Sequence, residues 1–172
     1  INKVYLDKFS KQLCGKFRKG HFQGVLDVIN RFLEIIRPKY MYLGIKDFQQ
    51  LTLIDRHISK NEIKTKVIKC KTIREKNGVA CSTRNLNLTS EQLLIASNVY
   101  KYFLSLKNKI KKNKKLFDIK IVKDKMMSLG VTKVDYLKNI NLKNIQKLKK
   151  KNNKFKLFVA YYIDNIRLID NI

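Results

Sequence analysis

The sequence lacks any apolar run close to the roughly 20 residues that a helix needs to cross a bilayer. Its first eleven residues also lack the charged-then-apolar order of a signal peptide. We therefore expect a cytoplasmic protein with no membrane partner. Residue 1 is isoleucine rather than methionine, so we expect a further segment upstream of this sequence.

Cysteine and histidine are too few and too scattered for a structural metal site. The three cysteines, Cys14, Cys70 and Cys81, include no C-x-x-C pair, and the only histidines are His21 and His57. Structural zinc sites use four such ligands in close spacing, and disulfide frameworks use an even number of cysteines. We expect reduced thiols and no protein-bound metal.

Acidic residues are also scarce, and 39 Lys and Arg against 13 Asp and Glu give a net charge of +26. This charge alone favours a nucleic-acid partner, because basic side chains neutralise phosphates. Only 7 of the basic residues are arginine, however, whereas proteins that read bases and phosphates rely on the bidentate arginine fork. Lys, Ile and Asn are all frequent, and these residues have A/T-rich codons. A biased base composition of the genome would therefore produce the positive charge whatever the function of the protein is. We expect no nucleic-acid partner, and a non-enzymatic nucleic-acid-binding module stays an alternative.

Strand and helix patterns alternate in the first half of the chain. Residues 21–36 show apolar side chains at helical spacing, and Arg37-Pro38 ends the pattern. The expected buried face consists of Phe22, Val25, Leu26, Ile29, Phe32, Leu33 and Ile36. An apolar run over 40–43 that ends in Gly44 predicts a strand, residues 47–58 a helix, and 64–70 a second strand. This order predicts an α/β fold with a parallel sheet.

The second half begins with a polar loop over residues 72–87. Thr89 to Gln92 carry N-cap chemistry, so we expect a long helix from there to the basic stretch 107–115. A smaller unit is expected to follow, with helices at 118–129 and 142–148 and strands at 133–136, 155–163 and 166–170. The lysine runs 107–115 and 147–156 are most simply solvated faces and turns.

Four motifs follow each other along nearly the whole chain. They are R-K-G-H-F-Q-G-V at 18–25, G-I-K-D-F-Q-Q-L at 44–51, T-I-R-E-K-N-G-V-A-C-S-T-R-N at 72–85, and R-L-I-D-N at 167–171. In this order they resemble the motifs of the pantothenate synthetase (pantoate beta-alanine ligase) family. The resemblance implies that residues 1–86 are the second part of a Rossmann-like nucleotidyltransferase domain that binds ATP and pantoate. It also implies that residues 87–172 form a small α+β lid domain.

The second motif suits phosphate chemistry. Gly44 ends a strand, and a residue without Cβ allows a phosphate to approach the backbone closely. The helix that starts after Asp47 presents amides and a positive dipole end to an anion. Lys46 adds a mobile positive charge. Gln50 lies four residues on from Lys46, about one helical turn, so we expect it to share a helix face with Lys46. There it can hydrogen-bond a small polar substrate beside the nucleotide.

The third motif places two hydroxyls and a guanidinium on one loop, at Ser82, Thr83 and Arg84. Such groups can follow negative charge as it moves onto pyrophosphate. The resemblance implies that Lys46 and Arg84 are catalytic and that Gln50 contacts pantoate. It further implies an ATP site formed by Gly44, Ile45, Lys46, Asp47, Ile73, Cys81, Ser82, Thr83 and Arg84.

The resemblance also implies the reaction and its partners. Pantoate attacks the α-phosphate of ATP, which enters with Mg²⁺, and gives pantoyl adenylate and pyrophosphate. The amine of beta-alanine then displaces AMP, while the lid excludes water, and the enzyme is expected to be a homodimer. Another nucleotidyltransferase of the same fold is the first alternative.

Each candidate residue also has a purely structural interpretation. Lys46 would be a surface lysine and Asp47 a helix cap, while Ser82 and Thr83 would be ordinary loop hydroxyls. Arg84 would then pair with a carboxylate of the second domain. Gln50 would face solvent, and His21 at the start of a helix favours a structural role.

The sequence departs from the family pattern at several positions. Ile45 replaces a glutamate, Thr83 a serine and Cys81 a methionine or leucine, while Lys19 and Lys71 replace prolines, which we expect to loosen two loops. The sequence contains no H-x-G-H motif, which the family carries after its first strand to bind ATP phosphates. We therefore expect these 172 residues alone to bind ATP weakly and to make no pantothenate.

Overall fold

The structure is a computed structural model that describes residues 4–113, 117–142 and 155–172. The chain divides into two compact units, Ile1–Thr72 and Ile73–Ile172. The functional boundary expected at 86/87 lies fourteen residues further along, so the loop with the third motif falls in the second compact unit. That functional boundary stays a prediction.

Over its described residues, the first unit contains two 3-10 turns, three helices and two strands. A 3-10 turn at Lys8–Lys11 precedes helix α1, Cys14–Phe17, and helix α2, His21–Ile36. Strand β1, Tyr40–Gly44, a 3-10 turn at Ile45–Asp47, helix α3, Phe48–Lys60, and strand β2, Lys66–Cys70, complete the unit. The predicted helix, strand, helix and strand are all confirmed.

Strands β1 and β2 are parallel, with Tyr40 opposite Lys66 and Gly44 opposite Cys70. The predicted parallel sheet is therefore confirmed for these two strands. Their inner face packs on a core in which Leu26 and Ile54 are completely buried. Burial of one such side chain stabilises the fold by about 1.5–3 kcal/mol. The carboxyl ends of β1 and β2 lie at one edge of the sheet, where ligands bind in open α/β sheets.

The predicted buried face of α2 is correct at its centre and wrong at two positions. Leu26 and Leu33 are buried, but Phe32 is 51% exposed and Ile36 is 64% exposed. Neighbouring residues of a helix point about 100° apart, so the burial of Leu33 turns Phe32 away from the core. Ile36 is the last residue of the helix, and Arg37 follows in a left-handed conformation at φ 48°.

The second unit begins with a loop, a 3-10 turn at Thr83–Asn87 and helix α4, Ser90–Asn113. The predicted N-cap is confirmed, because the Gln92 amide donates to Thr89 Oγ1 at 3.2 Å and the Thr89 amide donates to Gln92 Oε1 at 2.9 Å. The helix continues through the first lysines of the basic stretch, where we expected it to stop. Lysine is a good helix former, and buried Ile110 holds this last part of α4 on the core.

Helix α5, Ile119–Ser128, and strands β3, Lys133–Asn141, β4, Phe155–Ile163, and β5, Ile166–Asn171, complete the second unit. The strands form an antiparallel sheet in the order β3-β4-β5. Strand β3 is longer than predicted because it pairs with β4 as far as Asn141 opposite Phe155. The helix expected at 142–148 lies outside the described residues, apart from its first residue.

The sheet packs against α4 and α5 around an apolar core. Phe103 of α4, Met126 of α5 and Leu157 of β4 are at most 1% exposed. The register of β3 shifts between Val134 and Tyr136, which leaves Asp135 at the irregularity. Within the three described ranges, no helix is both long enough and apolar enough to span a membrane.

Candidate active site

The carboxyl end of β1 carries the second motif. Gly44 has extended backbone angles, φ −70° and ψ 130°, which any residue can adopt. A Cβ built on Gly44 would meet no described atom within 4 Å. Neither the backbone nor the packing of the described residues requires glycine here. This open space leaves the backbone of Gly44 accessible to a ligand.

Asp47 does not cap helix α3. It is the N-cap residue by position, but its side chain accepts no hydrogen bond from the helix. The positive dipole end of α3 lies at this turn and attracts an anion. The alternative interpretation of Asp47 as a helix cap is wrong, because its exposed side chain makes no capping hydrogen bond.

Lys46 lies in the 3-10 turn that joins β1 to α3, and Gln50 lies in the first turn of α3. Both side chains are half-buried. The prediction placed them one helical turn apart on a single helix face. In the structure the helix begins only at Phe48, so the 3-10 turn, rather than a helical repeat, sets the position of Lys46.

Gln49 is a structural residue that the sequence did not distinguish from its neighbour Gln50. Its side chain is 6% exposed. Gln49 Oε1 accepts from the amide of Cys14 at 3.0 Å, and Nε2 donates to the carbonyls of Phe9 and Gln12, both at 2.7 Å. Gln49 thus fixes residues 9–14 to the start of α3. Its position directly after buried Phe48 on the helix is the only sequence signal of this role.

The third motif forms a tight loop in the second unit. The amide of Cys81 donates to the carbonyl of Ile73 at 3.0 Å, and the amide of Glu75 donates to the carbonyl of Val79 at 2.8 Å. Gly78 closes the turn at φ +90°, and a Cβ there would lie 2.3 Å from the ring of Tyr100. Glycine is therefore required at 78 both by backbone conformation and by packing.

Arg74 anchors this loop to strand β5. Its guanidinium makes two hydrogen bonds to Asp170, at 2.7 and 3.0 Å, and a third to the carbonyl of Gly78 at 3.0 Å. It also stacks over the ring of Tyr100 with 4.3 Å between the guanidinium carbon and the ring centroid. Both partners of the ion pair belong to the quoted motifs, but no local signal indicated their role, since 96 positions separate them.

Arg167, in the fourth motif, is likewise structural. Its Nε donates to Asp135 Oδ2 at 2.8 Å, and the Asp135 side chain is only 2% exposed. The bulge in β3 thus holds a buried carboxylate that is neutralised from β5. The two charged residues of the fourth motif, Arg167 and Asp170, therefore fix the second unit internally.

The predicted phosphate-binding residues Ser82, Thr83 and Arg84 lie at the start of the 3-10 turn that follows the loop. Ser82 Oγ accepts from the amide of Arg84 at 3.3 Å and caps the turn. A hydroxyl that accepts one hydrogen bond can still donate its own proton to a ligand. Arg84 is exposed and forms no ion pair with any described residue, so the structure does not support the alternative in which it pairs with a carboxylate of the second domain.

The two histidines have different surroundings. His57 is completely buried, with Nε2 3.1 Å from Asn30 Oδ1 and Nδ1 3.3 Å from Asn61 Nδ2. Burial lowers the pKa of His57, so the ring is neutral and structural at pH 7. His21 Nε2 lies 2.8 Å from a guanidinium nitrogen of Arg18 on the surface. In the described parts of the chain, no three His, Cys, Asp or Glu side chains converge as metal ligands.

The structure thus brings the candidate residues together in two groups, one in each unit. Five of them lie within residues 44–50 at the carboxyl end of β1. The others, Ile73 and residues 81–84, lie on one loop of the second unit, where the Ile73 to Cys81 hydrogen bond joins its two sides. The side chain of Ile73 is 76% exposed.

The chain is similar to known sequences over nearly its whole length. A sequence model of the family described as pantoate-beta-alanine ligase matches residues 2–172. The pantothenate synthetase of Flavobacterium psychrophilum is 36% identical over 177 residues, which cover 96% of this chain and 60% of the relative. That of Campylobacter hominis is 37% identical and covers 93% of this chain and 58% of the relative.

Solved structures give the same result. The crystal structure of pantoate-beta-alanine ligase from Francisella tularensis, complexed with beta-gamma ATP and beta-alanine, matches with a TM-score of 0.76 and 34% identity, over 100% of this chain and 57% of that one. Pantothenate synthetase from Thermus thermophilus matches with a TM-score of 0.82 and 25% identity, over 99% and 62%. The chain spans about 60% of the length of the curated relatives that it matches. Because the family model covers nearly every residue, the chain belongs to the pantoate-beta-alanine ligase family.

Proposed function

We propose that this chain carries the ATP-clamping part of an enzyme that joins pantoate and beta-alanine to give pantothenate. ATP activates the pantoate carboxylate as pantoyl adenylate, with release of pyrophosphate, and beta-alanine then displaces AMP. The observation that carries the proposal is the family match over residues 2–172, which includes every candidate position. The Francisella relative bound to beta-gamma ATP and beta-alanine supports ATP and beta-alanine as substrates.

In the first unit, the turn after β1 would receive the phosphates of ATP. The backbone of Gly44 and Ile45 is the surface of closest approach, and the positive dipole end of α3 attracts phosphate oxygens. Lys46 adds a positive charge at the same turn, and Gln50 hydrogen-bonds pantoate. Replacement of the family glutamate by Ile45 removes a negative charge from this turn, but a backbone contact at this position does not depend on the side chain.

In the second unit, the loop that carries the third motif would also bind the nucleotide. Ile73 offers backbone contacts, and Cys81 packs near the adenine. Ser82 and Thr83 donate their hydroxyl protons, and Arg84 binds the phosphates as charge moves onto the leaving pyrophosphate. Arg74 holds the loop in shape for this task, through its bonds to Asp170.

Lid closure would protect the acyl adenylate from water. We propose residues 1–86 as the ATP- and pantoate-binding part and residues 87–172 as the lid. Since the loop over 73–86 belongs to the compact unit Ile73–Ile172, we expect it to move with the lid. We further propose that ATP enters with Mg²⁺ bound to its phosphates, that the enzyme is a cytoplasmic homodimer, and that it has no nucleic-acid partner.

The test is isotope exchange between labelled pyrophosphate and ATP in the intact gene product. The proposal predicts exchange that requires pantoate and proceeds without beta-alanine, because adenylation precedes the entry of the amine. Exchange that another acid supports equally well would instead indicate a different nucleotidyltransferase of this fold. If no acid supports exchange, and the protein binds any DNA or RNA in a salt-sensitive manner, the nucleic-acid-binding alternative is correct.

A further inference from the structure

A group of basic side chains in the second unit is partly buried rather than solvated. Arg74 is its centre, with a side chain that is 20% exposed, and it pairs with Asp170, which is 13% exposed. Next to Asp170, Asn171 is buried and accepts a hydrogen bond from Lys156 Nζ at 2.6 Å. The cations of Arg74 and Lys156 are therefore held by two consecutive residues of β5.

Helix α4 adds a third cation to this group. Tyr100, whose ring lies under the guanidinium of Arg74, is followed on the same helix face by Lys107 and Lys111, seven and eleven residues later. Lys107 is half-buried and Lys111 is exposed. By contrast, Lys109 and Lys112 are exposed on other sides of the helix, as expected for a solvated lysine run.

The three cations repel one another. Burial lowers the pKa of Lys107, and the neighbouring charges of Lys111 and Arg74 lower it further. Burial also lowers the pKa of Lys156, where Lys107 and Arg74 add repulsion and Asp170 partly offsets it. Within the described residues, Asp170 is the one carboxylate that acts on Arg74 or Lys156, so three cations face a single negative charge.

A fold that keeps two uncompensated positive charges in a half-buried place bears an electrostatic cost unless an anion neutralises them. Tyr161 lies beside Asp170 and Arg74, and burial raises the pKa of its phenol, so it stays protonated and can donate a hydrogen bond. A guanidinium, two ammonium groups and a phenol are all donors. The group therefore presents donors and positive charge to any ligand that enters it.

We propose that Arg74, Lys107 and Lys156 form a binding site for a phosphate-class anion at the junction of α4 and β5. Two excess positive charges match the charge of a phosphate or of a phosphate group within a larger ligand. The inference rests on the second unit alone and does not require the ligase reaction. The anion can come from free phosphate or from the phosphates of a nucleotide.

The experiment measures binding of inorganic phosphate, and separately of ATP with Mg²⁺, by calorimetry on the intact gene product at constant ionic strength. Lys107→Gln and Lys156→Gln remove one cation each with little change of volume, and Lys109→Gln removes an exposed one from the same helix as a matched control. Lys107→Gln and Lys156→Gln are each expected to bind the anion about tenfold more weakly than the wild type, because each loses one charge-assisted hydrogen bond. The control is expected to bind as the wild type does.

Thermal unfolding adds a readout that a purely structural lysine would not show. Without phosphate, Lys107→Gln is expected to unfold at a higher temperature than the wild type, because the repulsion is relieved. In saturating phosphate the order reverses, because the wild type gains more stability from its ligand, and Lys107→Arg is expected to restore wild-type binding. An effect confined to ATP identifies nucleotide phosphates as the source of the anion. The proposal would be overturned if Lys107→Gln and Lys156→Gln bound phosphate and ATP with the same affinities as the wild type and the Lys109→Gln control.

Discussion

Replacement by methionine should have different effects at the two adjacent glutamines of the second motif. At Gln49 it should lower the stability of the fold, and at Gln50 it should weaken the use of pantoate. Gln49→Met keeps the side-chain volume but removes three hydrogen bonds, to Cys14, Phe9 and Gln12. The first two of these bonds are buried, and the third is partly exposed, so water can replace it. Leaving a buried donor or acceptor unpaired costs about 1–3 kcal/mol each. The carbonyls of Phe9 and Gln12 each keep a second donor, the amides of Gln12 and Gly15, so the amide of Cys14 is the buried group most affected. We expect the free energy of unfolding of the first unit to fall by about 1–3 kcal/mol.

Urea unfolding followed by far-ultraviolet circular dichroism measures this change, with Gln50→Met as the matched control. Gln50 is half-buried, so its substitution should change stability by less than about 0.5 kcal/mol. In the exchange assay, Gln50→Met should instead raise the concentration of pantoate that is needed. If Gln49→Met unfolds at the wild-type urea concentration, or if Gln50→Met loses as much stability, the roles assigned to the two residues are wrong.

Three further substitutions test the second unit and the buried histidine. Gly78→Ala should destabilise by about 2 kcal/mol or more, because the new Cβ meets the ring of Tyr100 and the residue keeps a positive φ; an unchanged urea midpoint would contradict this. Arg74→Lys should cost about 2 kcal/mol in the same assay, since a lysine cannot make the paired bonds or the stacking contact; full stability would refute the anchoring role. Because the folded state holds His57 with a lowered pKa, the unfolded state binds more protons below about pH 6.5, and stability is lost there as pH falls, by up to about 1.4 kcal/mol per pH unit. His57→Gln should remove this dependence between pH 6.5 and 5.5, whereas His21→Gln should keep it; equal slopes in both variants would exclude His57 as the cause.

The local elements could be predicted because each has its own signal in the sequence. The period of apolar residues and the Arg37-Pro38 break define α2, and its observed range, His21–Ile36, agrees with the prediction. Strand β4 was likewise found at Phe155–Ile163 from its apolar run. The exposed position of Phe32 was missed, because periodicity describes a face and does not say how far the core extends along it.

Long-range pairs could not be predicted from the sequence. Nothing in the spacing of Arg74 and Asp170 shows that the loop is tied to the last strand, and both were noted only as parts of motifs. Gln49 and Gln50 are chemically identical, and only the position of residues 9–14 in the fold distinguishes them. In the same way, composition treats Lys107 and Lys109 alike, and only the packing of α4 makes one half-buried and the other exposed.

The turn after β1 and the loop that ends in Arg84 are proposed to clamp the phosphates of ATP during adenylation. The decisive measurement is the rate of pantoate-dependent pyrophosphate exchange in Lys46→Ala and Arg84→Ala, with exposed Lys64→Ala as the charge-matched control. We expect a loss of about 100- to 1000-fold in each of the first two variants, as for removal of a group that stabilises transition-state charge. The control should keep the wild-type rate, and all three should keep the wild-type urea midpoint. Wild-type exchange by a folded Lys46→Ala or Arg84→Ala variant would contradict the clamp.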